Sequence, residues 1–102
     1  RNDEALKIYR EVLKADPGAV QVPYKLARAL HEAEGAKAAL PWYERAARDE
    51  KDNPMPHYYL GYLYKERGQK AKAVAEFKRF LQLRPDADEK KDIEAEIEDM
   101  GG

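Results

Sequence analysis

Serine, threonine and cysteine are all absent from the 102 residues. That removes the usual hydroxyl and thiol nucleophiles. It also removes disulfides, thiolate metal sites and the Ser or Thr that an N-glycosylation acceptor requires. The two histidines, His31 and His57, form no HxxxH pair. Glycines stand singly apart from Gly101-Gly102, so no glycine-rich loop is available to cradle a phosphate. No apolar run approaches the roughly 18 residues that a membrane-spanning helix needs. Nineteen Lys and Arg face 20 Asp and Glu, a formal net charge of -1 that argues against a dedicated polyanion binder. The expectation is a chain with no catalytic residues, no cofactor, no metal, no nucleic-acid partner and no membrane insertion.

What the chain does have is a period. Ala5, Ala39 and Ala73 lie 34 residues apart, and so do Tyr9, Tyr43 and Phe77. Leu6, Leu40 and Val74 share the spacing, as do Val12, Ala46 and Phe80. A second set pairs Tyr24 with Tyr58, Leu26 with Leu60, Ala27 with Gly61 and Leu30 with Tyr64. No insertion or deletion is needed. A fixed period of this length signals a stack of like units, each unable to bury its apolar face alone.

The unit is helical. Apolar residues recur at three- and four-residue spacing, without strand-like alternation. A first helix is expected over about 3–15, ended by Asp16-Pro17-Gly18. A second runs from near Val20 to Gly35, with Pro23 in its first turn and Leu26, Ala27, Leu30 and Ala33 as its core stripe. A third spans about 37–50, with Pro41 near its start. Asn53 is a plausible cap for a fourth that opens on Pro54 and Pro56 and ends at Gly68. A fifth covers about 70–83 and a last about 87–100. Small Ala27 and Gly61 should let the first helix of each pair approach the second closely, with Tyr43 and Phe77 filling the space around them.

Leu60-Gly61-x-x-Tyr64, then Ala73-x-x-x-Phe77, then Pro85 closely resemble the signature of the tetratricopeptide repeat family at that family's own period. Leu26-Ala27-x-x-Leu30 with Ala39-x-x-x-Tyr43 resemble it more loosely, and Ala5-x-x-x-Tyr9 with Pro17 match its second half. The resemblance implies an all-α solenoid of antiparallel helix pairs forming one domain. Residues 1–19 would be the second half of a truncated repeat, 20–53 and 54–87 two repeats, and 88–102 a capping helix. It further implies a non-catalytic protein-interaction module whose first helices line a concave groove for a peptide segment of a partner. An alternative use is as a scaffold or oligomerisation segment of a longer solenoid, self-associating through the N-terminal helix.

Helical geometry nominates the groove residues. With Leu26 at zero, Leu30 and Ala33 fall on the same side, whereas Tyr24, Arg28 and His31 fall at about 160°, 200° and 140°. The next unit selects Tyr58, Tyr62 and Lys65. Aromatic surface with positive charge suits a partner bearing acidic groups and apolar anchors. The residues from Asp86 onward carry eight acids and two lysines, or -6. Those acids read either as a solvated helix face or as an acidic element beside the basic groove. The sequence reads as a fragment of a longer protein, so any targeting segment would lie outside it. The compartment stays open, with the cytoplasm favoured.

Overall fold

Proline, glycine and acidic turn residues punctuate the chain, and the helices form between them. The computed structural model describes residues 2–102, which form six helices and no strand. These are α1 Asn2–Ala15, α2 Val22–Glu34, α3 Ala36–Asp49, α4 Met55–Glu66, α5 Lys70–Leu83 and α6 Lys90–Asp99. The chain is all-α, as its periodicity predicts. It divides into two compact units, Arg1–Lys51 and Asp52–Gly102.

In the first unit α2 turns into α3 at a single residue. Gly35 has φ 96°, a left-handed conformation that costs glycine little, and its N–H reaches the carbonyls of Leu30 and His31, each at 3.1 Å. The two helices close over Leu26, Ala27 and Leu30 from α2 and Ala39, Tyr43 and Ala46 from α3, all buried. Helix α1 lies on α2 through Leu6 and Leu13.

Three details depart from the periodic reading. Ala33 is exposed while Ala29 is buried, so the buried stripe of α2 ends one turn early. Helix α2 starts at Val22 rather than Val20, because Gln21 holds φ 72° and breaks the ladder there. Pro41 stands inside α3, beyond the first turn, on an exposed face where water can satisfy the carbonyl its missing N–H would have met.

The start of α2 is finished by a residue distant in sequence. Pro23 has no N–H, and the N–H of Tyr24 is donated to Glu50 Oε2 at 2.9 Å. Glu50 is buried at the end of α3. A carboxylate there satisfies an otherwise orphaned donor and sits at the positive end of the α2 dipole.

The second unit repeats the pairing with sharper shape selection. A Cβ built on Gly61 of α4 would lie 2.3 Å from Phe77 Cε1, so only glycine lets the buried Phe77 ring lie flush against α4. Buried His57 in α4 meets Glu76 of α5, Nδ1 to Oε1 at 2.7 Å. Pro54 rather than Asn53 stands at the N-cap of α4, and the Asn53 side chain, one residue earlier, accepts the N–H of Met55 at 3.1 Å. Helix α6 begins at Lys90, three residues later than the sequence suggests. Ala87 instead sits in a turn buried within the cluster of Phe77, Phe80, Ile93 and Ile97. Phe80, bulkier than the Ala46 in its column, fills the space between α5 and α6.

Replacing Gly61 with alanine should therefore lower stability although alanine is the better helix former. The propensity gain of about 1 kcal/mol is outweighed by an overpacking cost of up to about 3 kcal/mol. Urea unfolding checks it: a midpoint equal to or above wild type would contradict the close-approach reading.

Candidate functional site

The first three nominated residues gather about Tyr43, two of them at its hydroxyl. Tyr43 of α3 is fully buried as a residue, yet its Oη lies 2.9 Å from His31 Nδ1 and accepts a hydrogen bond from Arg28 Nη1 at 3.2 Å. The His31 ring stands edge-on to the Tyr43 ring at 5.7 Å, and the Tyr24 ring is tilted against it at 6.4 Å. Arg28 also pairs with Glu32 one turn on, at 3.5 Å. Tyr24, Arg28 and His31 are all half-buried, and both terminal nitrogens of Arg28 are engaged, Nη1 by Tyr43 and Nη2 by Glu32. The guanidinium keeps its charge at any accessible pH and presents a planar fork suited to carboxylates. Cationic donors beside aromatic surface are the kind of groups that an anionic or hydrogen-bonding moiety can meet.

The corresponding residues of the second unit, each 34 positions on, are occupied differently. Tyr58 and Tyr62 of α4 pack edge to face at 5.2 Å. Tyr58 leans on Phe80 at 5.3 Å and Tyr62 on Phe77 at 5.0 Å. Both tyrosines also pack against the cluster that holds Ile93 and Ile97 of α6. Lys65 forms an ion pair with Glu96 of α6. Burial raises the phenol of Tyr58, and its hydrogen bond with Tyr62 offsets part of that rise. The Tyr62 phenol is pushed up to about 12, first by burial, then by Tyr58 and by the nearby Glu96 and Asp92. The solvated-face reading fits Glu94, Glu98 and Asp99, which are exposed, whereas Glu96 is paired with Lys65 of α4. Ile93 and Ile97 are buried, and the acidic flank lies over the Tyr62–Lys65 side of α4.

Sequence reasoning placed Tyr43 only in the core column and missed its hydroxyl as the organiser of the site. A signal was present. The same column holds Phe77 in the next unit, so one of the two aromatics carries a polar tip for which a buried position demands a partner. Glu50, Glu76 and Glu96 were missed as well, because charged residues near helix ends do not reveal which distant donor they meet. Among the described residues no group of three or more His, Cys, Asp or Glu could hold a metal ion. Nor, among those residues, is any helix long and apolar enough to cross a membrane.

The raised phenols fix a pH dependence. Both groups are neutral in either state well below pH 10, so they contribute nothing to stability changes there. Between about pH 10 and pH 12 the unfolded chain ionises a tyrosine that the folded chain keeps protonated at position 62, so stability falls as pH rises. Urea unfolding across that window should show the fall, and Tyr62→Phe should flatten it. An unchanged slope would contradict the burial of this phenol.

Comparison with known proteins follows the same lines. No curated protein matches the chain. A family model does, over residues 21–87, more than half of the sequence: YpiA-like, C-terminal tetratricopeptide repeats. Its span takes in the paired helices α2–α3 and α4–α5 together with the columns that make them approach closely. The chain belongs to this tetratricopeptide repeat family.

Proposed function

We propose that the chain is a non-catalytic interaction module that takes a peptide segment of a partner protein on the Tyr24, Arg28 and His31 face of α2. The family is generally non-catalytic and its members are protein-interaction repeats. The finer assignment rests on the half-exposed Arg28–Tyr43–His31 cluster. A guanidinium tethered by Tyr43 and Glu32 loses less side-chain freedom on meeting a ligand than a free one. Tyr24 beside it offers flat apolar area. The ligand this favours is a segment with a carboxylate set next to an apolar anchor.

The matching face of α4, with Tyr58, Tyr62 and Lys65, is the one engaged by α6. Lys65 is exposed, but fully uncovering the half-buried Tyr58 and Tyr62 rings would require displacing α6, whose Ile93 and Ile97 lie in the same core cluster. Removing two such side chains from an apolar environment costs about 1.5–3 kcal/mol each, so α4 is the weaker of the two candidate faces. Helix α6 therefore acts as a cover for that face rather than as a readily exchanged competitor.

Selection of acidic peptides from a display library should return ligands with dissociation constants on the order of micromolar. Arg28→Glu should weaken them about tenfold or more, because it replaces attraction with repulsion of a desolvated carboxylate. Affinities unchanged in Arg28→Glu, as measured by calorimetry, would move the site off this face.

A further inference from the structure

Three acids of the last helix line up on one flank. At 100° per residue, Glu89, Asp92 and Glu96 fall within about 60° of one another, beside the buried Ile93–Ile97 stripe. Lys90 and Lys91 lie at least about 100° from each of them. The flank faces α4. Glu96 meets Lys65 there, and Tyr62 and Tyr58, about one and two turns before Lys65, pack on the cluster that holds Ile93 and Ile97. Burial raises both phenols most, and the weaker influences on them include these acids: Glu89 and Asp92 on Tyr58, Glu96 and Asp92 on Tyr62.

One position of this seam is already filled. The Lys65 ammonium sits against Glu96, so a cation on the acidic flank is a contact that the fold itself makes. One and two turns earlier along α6 the acids have no such partner. Among the described residues neither Asp92 nor Glu89 is ion-paired. Across from them α4 presents the half-buried Tyr58 and Tyr62 rings, edge to face at 5.2 Å. A ring face and a carboxylate both attract a cation. We propose that the seam between α4 and α6 binds a basic peptide segment, seating an arginine or lysine side chain against Tyr58 and Tyr62 with Asp92 and Glu89 as its counter-charge. Arginine suits it better, because a planar guanidinium stacks on a ring while donating to a carboxylate.

The sign is opposite to the one that helical angles suggest for α4, where Lys65 counts as positive charge open to a ligand. Glu96 neutralises Lys65, and Glu89 and Asp92 leave the seam acidic. Its length favours a peptide. Glu89 to Glu96 covers about 10 Å of helix, roughly three residues of extended chain, so alternate side chains of one strand can face it. A small cation gains affinity by being enclosed, and two rings set edge to face do not enclose one. Helix α6 stays in place, since the ligand meets its flank and the open edges of the rings. The inference is independent of the α2 face, because Tyr24, Arg28 and His31 take no part in it.

The test titrates the isotope-labelled whole chain with acetylated, amidated Gly-Arg-Gly-Arg-Gly and, separately, with Gly-Glu-Gly-Glu-Gly. NMR should show the amides of Tyr58, Tyr62 and Asp92 shifting with the arginine peptide and not with the acidic one. Asp92→Asn should weaken the arginine peptide about threefold or more, and because Asp92 is exposed this variant keeps the fold. Lys65→Ala, also at an exposed position, should instead strengthen it about twofold or more by releasing Glu96. Arg28→Glu should leave the shifts in α4 and α6 unchanged, which keeps this result separate from that of the α2 face. Unchanged affinity in Asp92→Asn overturns the proposal, and so does weaker binding in Lys65→Ala. Shifts of the same amides by the acidic peptide overturn it as well. Tetramethylammonium binding as tightly as the arginine peptide would make a small cation the occupant and equally overturn it.

Discussion

Everything in this molecule depends on how closely two helices can approach. Ala27 against the Ala39–Tyr43 stripe, and Gly61 against Phe77, remove side-chain volume so that an aromatic ring can lie on the neighbouring backbone. Burial of a ring of this size contributes on the order of 2–3 kcal/mol, and dense packing around it adds to that. Helix propensity alone would not hold these short segments together. Helices of 10 to 14 residues are marginal in isolation. The paired stripes supply the missing stability, and the single-residue turn at Gly35 fixes how one stripe meets the other.

The same constraint shapes the surface. A ring buried to its tip in the second unit is Phe77, while in the first unit it is Tyr43, whose hydroxyl must find polar company. Arg28 and His31 provide it, and the peptide face we propose is built on that anchoring. Core and surface are therefore not separate designs here: one oxygen atom on a buried ring sets the positions of two half-buried side chains of α2. In the second unit the corresponding positions are Tyr62 and Lys65. The ring beneath them needs no partner, and they turn instead to Tyr58 and to the acidic flank of α6.

Much of this was legible in the sequence. Periodicity and its breaks place α5 to the residue and the other helices to within about three, because proline, glycine and apolar spacing act locally. Ala27, Gly61, Tyr43 and Phe77 were identifiable as close-approach columns because they recur. Helical angles put Tyr24, Arg28 and His31 on one side of α2, and the structure gathers them about Tyr43, but angles do not reveal the hydroxyl that Arg28 and His31 meet. An angle says which side a residue occupies and not which atom waits there. Glu50 capping α2 and Glu96 meeting Lys65 were invisible for the same reason, since each pair is separated by 26 or 31 positions in the sequence. Ala33 and the start of α2 failed locally: alanine carries little periodic signal, and nothing in Gln21 announces a left-handed backbone.

The most direct test of this account is the Tyr43→Phe variant, which removes one oxygen and leaves the ring. Since Phe77 fills the same column in the second unit, unfolding stability should stay within about 1.5 kcal/mol of wild type, the net worth of a typical hydrogen bond or slightly more. Calorimetric affinity for display-selected acidic peptides should nevertheless fall about tenfold, because Arg28 and His31 lose their anchor. Undiminished affinity in a folded Tyr43→Phe protein would show that the buried hydroxyl does not organise the recognition face.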